Sequence, residues 1–110
     1  MNQPIPQTQS SLHISEEVLA TVANEAIRDL KGIHRLAGLP AKFAQKPVKV
    51  RISGGVAQLD IGIVAEFGYR LREVCEQVQN AVKNSIQDMT GTAVSKVNVF
   101  VTGVHLPGQE

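Results

Sequence analysis

Residues 48–63 read VKVRISGGVAQLDIGI, and the fold is decided there. Val48, Val50 and Ile52 alternate with Lys49, Arg51 and Ser53. Beyond Gly54 and Gly55, Ala57, Leu59, Ile61 and Ile63 alternate with Gln58, Asp60 and Gly62. A period of two marks strands with one buried face. The Gly-Gly pair suits a two-residue hairpin turn of the primed type, in which both central residues take positive φ. Centring the turn there predicts Ile52 opposite Ala57, Val50 opposite Leu59 and Val48 opposite Ile61, with every apolar side chain on one face. The opposite face then pairs Lys49 with Asp60 and Arg51 with Gln58.

Helical patterns flank the hairpin. Ser15 reads as an N-cap with Glu16 and Glu17 in the first turn, where the helix dipole favours acids. Leu19, Val22, Ala23, Ala26, Ile27 and Leu30 recur at helical spacing, which predicts a helix from about Ser15 to Lys31, closed by Gly32. Leu12 to Ile14 suggests a short lead-in strand, and Ile33 to Leu36 a strand or an irregular crossing segment. Gly38 to Pro47, with two lysines and two prolines, reads as a mobile loop. After Phe67 and Gly68 break the strand pattern, Leu71, Val74, Cys75, Val78, Val82, Ile86 and Met89 outline one stripe of a surface helix ending at Gly91. Val97, Val99 and Val101 then alternate with Lys96, Asn98, Phe100 and Thr102 as a last strand.

This order predicts an α+β two-layer sandwich: a three- or four-stranded sheet, two helices on one face, and the other face open. If the last strand runs parallel to the second hairpin strand, the crossover between them is right-handed. The open face would display Lys49, Arg51, Gln58, Asp60, Lys96, Asn98, Phe100 and Thr102. Phe100 is the odd member. It reads either as one aromatic resting on aliphatic stems or as an anchor for a partner or a second copy.

At 110 residues the chain is long enough for one core, read as a single α+β domain over 12–106 after a disordered N-terminal tail, 1–11. Aromatics make up only 4%, with no Trp, so Val, Ile, Leu and Ala must build the core. No apolar run approaches the ~20 residues of a membrane-spanning helix. The opening residues lack the apolar stretch of a signal peptide. The single cysteine, Cys75, allows no internal disulfide, and a cytoplasmic protein fits best. From Arg28 to Arg51 seven basic residues face one acid, Asp29, while the net charge is only +1. That asymmetry reads as an anion-binding surface or as a well-solvated lysine-rich loop, with Lys42 and Lys46 at its centre.

The usual entry points to chemistry fail. Cys75 lies on the apolar stripe of the second helix, as a small core residue would. His13, His34 and His105 are scattered, and none has a histidine four residues away to share a metal. The expectation is no catalytic residue, no cofactor and no metal, and hence no enzyme. A small α+β fold with a basic segment also invites a nucleic-acid reading. Adjacent Gly54 and Gly55 do not make a GXXG clamp, however, and one aromatic is fewer than stacking platforms use.

Residues 82–104, VKNSIQDMTGTAVSKVNVFVTGV, resemble the closing signature of the alkaline shock protein family, a bacterial group linked to cell-envelope stress. The likeness rests on a long amphipathic helix ending in Thr90-Gly91 and on the Val-Asn-Val step at Val97 to Val99. It also rests on the break Glu66-Phe67-Gly68 and on the opening ISEEVLATVANEAI, Ile14 to Ile27, with Gly32 and Ile33 after it. Phe67 stands where tyrosine is more usual, and Gly38 to Pro47 departs from the pattern. The resemblance implies a non-enzymatic envelope-stress scaffold or adaptor that self-associates. It implies a location at the inner face of the cell membrane, through a small integral membrane protein and without inserting itself. The family supplies no catalytic residues. The surface candidates are therefore Lys49, Arg51, Asp60, Lys96 and Phe100 on the open face, with Lys42 and Lys46 on the loop. The alternative is a small nucleic-acid-binding module using the basic segment 28–51.

Overall fold

The computed structural model describes residues 14–40, 42 and 45–108. The expected tail, and Leu12 and His13 of the expected lead-in strand, lie outside these residues, and Ile14 is not in a strand. The elements run α1 (Glu16–Ile27), β1 (Ile33–Leu36), β2 (Val48–Ser53), β3 (Val56–Glu66), α2 (Leu71–Thr90) and β4 (Ala93–His105).

The hairpin has the register that its alternation predicts. Val48 pairs with Ile61, Lys49 with Asp60, Val50 with Leu59, Arg51 with Gln58, and Ile52 with Ala57. Gly54 and Gly55 have φ of 60° and 79°, the left-handed pair of a primed turn. β3 is the spine of a four-stranded sheet. One of its edges is shared end to end by two antiparallel partners, β2 along 56–61 and β1 along 63–65. β4 lines the other edge, parallel, from Val56↔Ala93 to Glu66↔His105.

The change of partner falls at Gly62. Its N–H donates to the Pro47 carbonyl at 2.9 Å, and its carbonyl accepts from the Ala37 N–H at 2.8 Å. A Cβ at this position would lie 2.3 Å from the Ala37 oxygen, closer than any side chain can sit.

Both helices cover one face. Ser15 Oγ accepts from the Val18 N–H at 3.1 Å, as the cap requires. α1 ends at Ile27, short of the expected Lys31, because the chain turns there and the Leu30 N–H donates to the Ile27 carbonyl. In α2 the buried stripe is narrower than the apolar spacing suggests. Val74, Val78, Val82 and Ile86 are buried, whereas Leu71 and Met89 at the ends are exposed. These residues meet Leu19, Val22, Ala23 and Ile27 of α1 above Val48, Val50, Leu59, Ile61, Ile63, Val94 and Val97. Each fully buried Leu, Ile or Val contributes about 1.5–3 kcal/mol relative to exposure. A core without Trp therefore stands on many aliphatic contacts.

β4 is longer than the alternation at 97–101 indicates, and it carries two bulges, at Ser95 and Thr102. Ser95 Oγ donates to the Ala57 carbonyl at 3.4 Å and Thr102 Oγ1 to the Ile63 carbonyl at 3.2 Å. Both acceptors lie on β3 where the ladder slips, so a hydroxyl takes up a carbonyl beside each irregularity.

Candidate functional site

The face away from the helices follows the second residue set of each strand, and Leu39 covers it at Gly62. Arg51 is exposed on β2. Its Nη2 donates to Gln58 Oε1 at 3.1 Å and lies 3.9 Å from Asp60 Oδ2. Lys96 is exposed on β4 in register with Gln58, and Phe100 is half-buried in register with Gly62. Lys49 is half-buried opposite Asp60.

Asp60 departs from the expected picture. It is only 2% exposed and does not reach solvent as a surface contact. It sits on the central strand between β2 and β4, and Asn98 Nδ2 donates to its Oδ1 at 2.9 Å. Its Oδ2 is buried without a hydrogen bond. Asp60 thus holds the middle of the face together from within, through Asn98 on one side and Arg51 on the other.

The loop lysines are elsewhere. Lys42 and Lys46 are exposed. Lys46 lines a recess with Glu16, Glu17 and Ala20 of α1 and with Lys49 at the β2 edge. Glu16 closes part of that edge, where its Oε2 accepts from the Ile52 N–H at 3.3 Å. Lys46 and Lys49 thus share the recess beside α1, while Arg51 lies on the sheet face.

At the far end of β3 the structure assembles a group that sequence spacing does not reveal. Glu66 Oε2 lies 3.2 Å from His34 Nδ1, and Glu66 Oε1 lies 3.0 Å from His105 Nδ1. The two imidazole rings stack, with centroids 3.8 Å apart and planes within 2°. The three residues come from three strands. His105 is the register partner of Glu66 on β4, and His34 is the extra residue of a bulge between Ile33 and Arg35 on β1. A bulge re-aims a side chain that simple alternation would send elsewhere.

The backbone beneath is pinned on both sides. The Glu66 N–H donates to the Gly32 carbonyl and the Phe67 N–H to the His105 carbonyl. The hydrogen bond from His105 is the main cause that holds the Glu66 carboxyl below its ordinary range; burial opposes it and the His34 contact adds to it. The readable trace of this cluster was the Glu66-Phe67-Gly68 break, which ends β3. The two histidines, 32 and 39 residues from that glutamate, carried no local sign. Cys75 is partly buried on α2, and burial pushes its thiol up, away from a nucleophilic thiolate.

A family model described by a cell envelope-related function matches residues 4–106. The chain belongs to the alkaline shock protein family. This member is 32% identical over 106 residues to the uncharacterized protein YloU of Bacillus subtilis, covering 86% of this chain and 88% of that one. It is 22% identical over 102 residues to the uncharacterized YqhY of the same organism, covering 84% and 76%. An uncharacterized protein of Streptococcus pyogenes is 26% identical over 109 residues, covering 89% and 90%. Among solved structures, a zinc form of the MamM CTD has a similar fold. Its TM-score is 0.50 at 15% identity, over 86% of each chain. Among the described residues of this family member, no helix is long and apolar enough to cross a membrane.

Proposed function

We propose that this family member is a non-enzymatic scaffold or adaptor of the cell envelope, acting through self-association and protein contacts. In this reading it sits at the inner face of the cell membrane, held by a small integral membrane protein. The observation that carries the reading is the family match across residues 4–106, with its cell envelope-related description. The sheet face supports it. Arg51 and Lys96 stand exposed there, with Phe100 half-buried, on the sheet face opposite α1 and α2.

The test is capture of the tagged full chain from its own cells, with and without nuclease, paired with sizing of the purified protein. The expected result is recovery of the chain itself and one small integral membrane protein, unaffected by nuclease. Arg51→Glu combined with Phe100→Ala should keep the native circular dichroism while lowering oligomer size and that capture. Wild-type oligomer size and capture in the double variant would remove the sheet face from the account. Recovery of ribosomal or nucleoid proteins that vanish with nuclease would overturn the scaffold in favour of a nucleic-acid-binding module on segment 28–51.

A further inference from the structure

We propose that His34, Glu66 and His105 form a binding site for a divalent transition-metal ion of the zinc class. This does not depend on the scaffold reading, because it rests on the donor set at the end of β3. Two imidazoles and one carboxylate are the ligand types that zinc and its neighbours select, whereas magnesium and calcium prefer oxygen alone. One ligand atom from each residue lies within 4.8 Å of the other two.

The spacing is close to that of a coordination sphere, which the donors would have to tighten to complete. A tetrahedral ion bound at about 2.0–2.1 Å keeps its ligand atoms about 3.3 Å from one another. His34 Nδ1 lies 3.2 Å from Glu66 Oε2 and His105 Nδ1 lies 3.0 Å from Glu66 Oε1, the two oxygens of one carboxylate. Hydrogen bonds now join the carboxylate to the two Nδ1 atoms, and an ion would replace their protons.

Each donor is held by the fold and still reaches solvent. The ladder pair Glu66↔His105 fixes two of them, and the β1 bulge supplies the third. Side-chain exposures of 33% for His34, 36% for Glu66 and 20% for His105 leave a route in for the ion and room for a water as fourth ligand.

Binding requires one rearrangement. An imidazole nitrogen offers its lone pair in the ring plane, and two rings within 2° of parallel at 3.8 Å share no point in both planes. The rings must therefore splay. His34, the more exposed of the two and carried on the short β1, is the one to swing. The ion would tie β1 and β4 to the end of β3, so its occupancy should register as thermal stability.

The experiment uses the untagged full chain, stripped with a chelator and titrated calorimetrically with zinc chloride, with magnesium chloride as control. One zinc per chain and no magnesium binding are expected, with a rise in Tm on adding zinc. His34→Gln and His105→Gln each retain an N–H able to face Glu66, and each should lower zinc affinity tenfold or more. His13→Ala and Cys75→Ser should leave it unchanged. Cobalt(II) provides a readout on the unmutated chain, as a visible absorption band stronger than that of the hydrated ion. No zinc uptake, the spectrum of hydrated cobalt, equal binding of magnesium, or full affinity in both glutamine variants would overturn the site. Loss of binding only with His13→Ala or Cys75→Ser would place the ion elsewhere and overturn it equally.

Discussion

From Val56 to Ile61, β3 is paired by β2, the strand joined to it through Gly54 and Gly55. From Ile63 to Ala65 the same edge is paired by β1, which precedes β2 in the chain. Near the hairpin, turn geometry and alternation set the register, and Leu59 and Ile61 lie fully buried under the helices. At the other end the register comes from segments remote in sequence, with a bulge in β1 and another in β4 at Thr102. The side chains brought together there are His34, Glu66 and His105. The contrast teaches that one edge of a strand can be local at one end and non-local at the other, and that the histidine–glutamate cluster lies at the non-local end. A hairpin face repeats what its turn dictates, while a junction of distant strands can juxtapose residues that no spacing rule connects.

Gly62 is where the two regimes meet, so its substitution should break the comparison hardest. In Gly62→Ala the new Cβ collides with the Ala37 carbonyl, and that carbonyl belongs to backbone that cannot yield cheaply. A loss on the order of 4 kcal/mol or more is expected, read as a collapse in Tm or as failure to fold. Near-wild-type stability would mean that β1 can leave the edge without cost.

Leu59→Ala tests the hairpin half alone. Leu59 is 0% exposed beneath the helices, and its truncation should cost about 2–5 kcal/mol in chemical denaturation. The same change should leave the His34–Glu66–His105 contacts, seen as histidine ring resonances, where they were. Displaced ring signals would show the two ends to be coupled through the core.

The smallest effect belongs to Glu66→Gln, measured with chelator present. The Glu66 carboxyl sits lower in the folded chain than its ordinary value of 4.5, with the hydrogen bond from His105 the first cause. A depressed carboxylate contributes stability that is present above the unfolded value and is lost as pH falls through the folded one. Wild type should therefore shed an increment of stability below about pH 4.5 that Glu66→Gln lacks. Identical acid limbs would show that the carboxylate gains nothing from its histidines.

Much of this molecule was legible in its residues because the deciding interactions are short in sequence. The Gly-Gly turn and the alternation on either side led to the pairing of Lys49 with Asp60 and Val50 with Leu59, and the spacing along α2 led to its buried stripe. Motifs such as Thr90-Gly91 and Val97-Asn98-Val99 were enough to point to the family. Alternation correctly placed Asp60 on the face away from the helices. Its burial depended on Asn98 arriving from β4 and Arg51 leaning from β2, which alternation within one strand does not contain.

The sequence by itself determined the two-layer α+β outline, the hairpin register and the family, since each follows from turns, periodicity and short motifs. Only the tertiary structure decided that β1 and β2 share one edge of β3, that Gly62 must be bare, and that His34 and His105 close on Glu66. Those outcomes depend on which distant strands pair and where their ladders slip. One residue of slip at the β1 bulge is the difference between a scattered histidine and a member of a three-residue donor set.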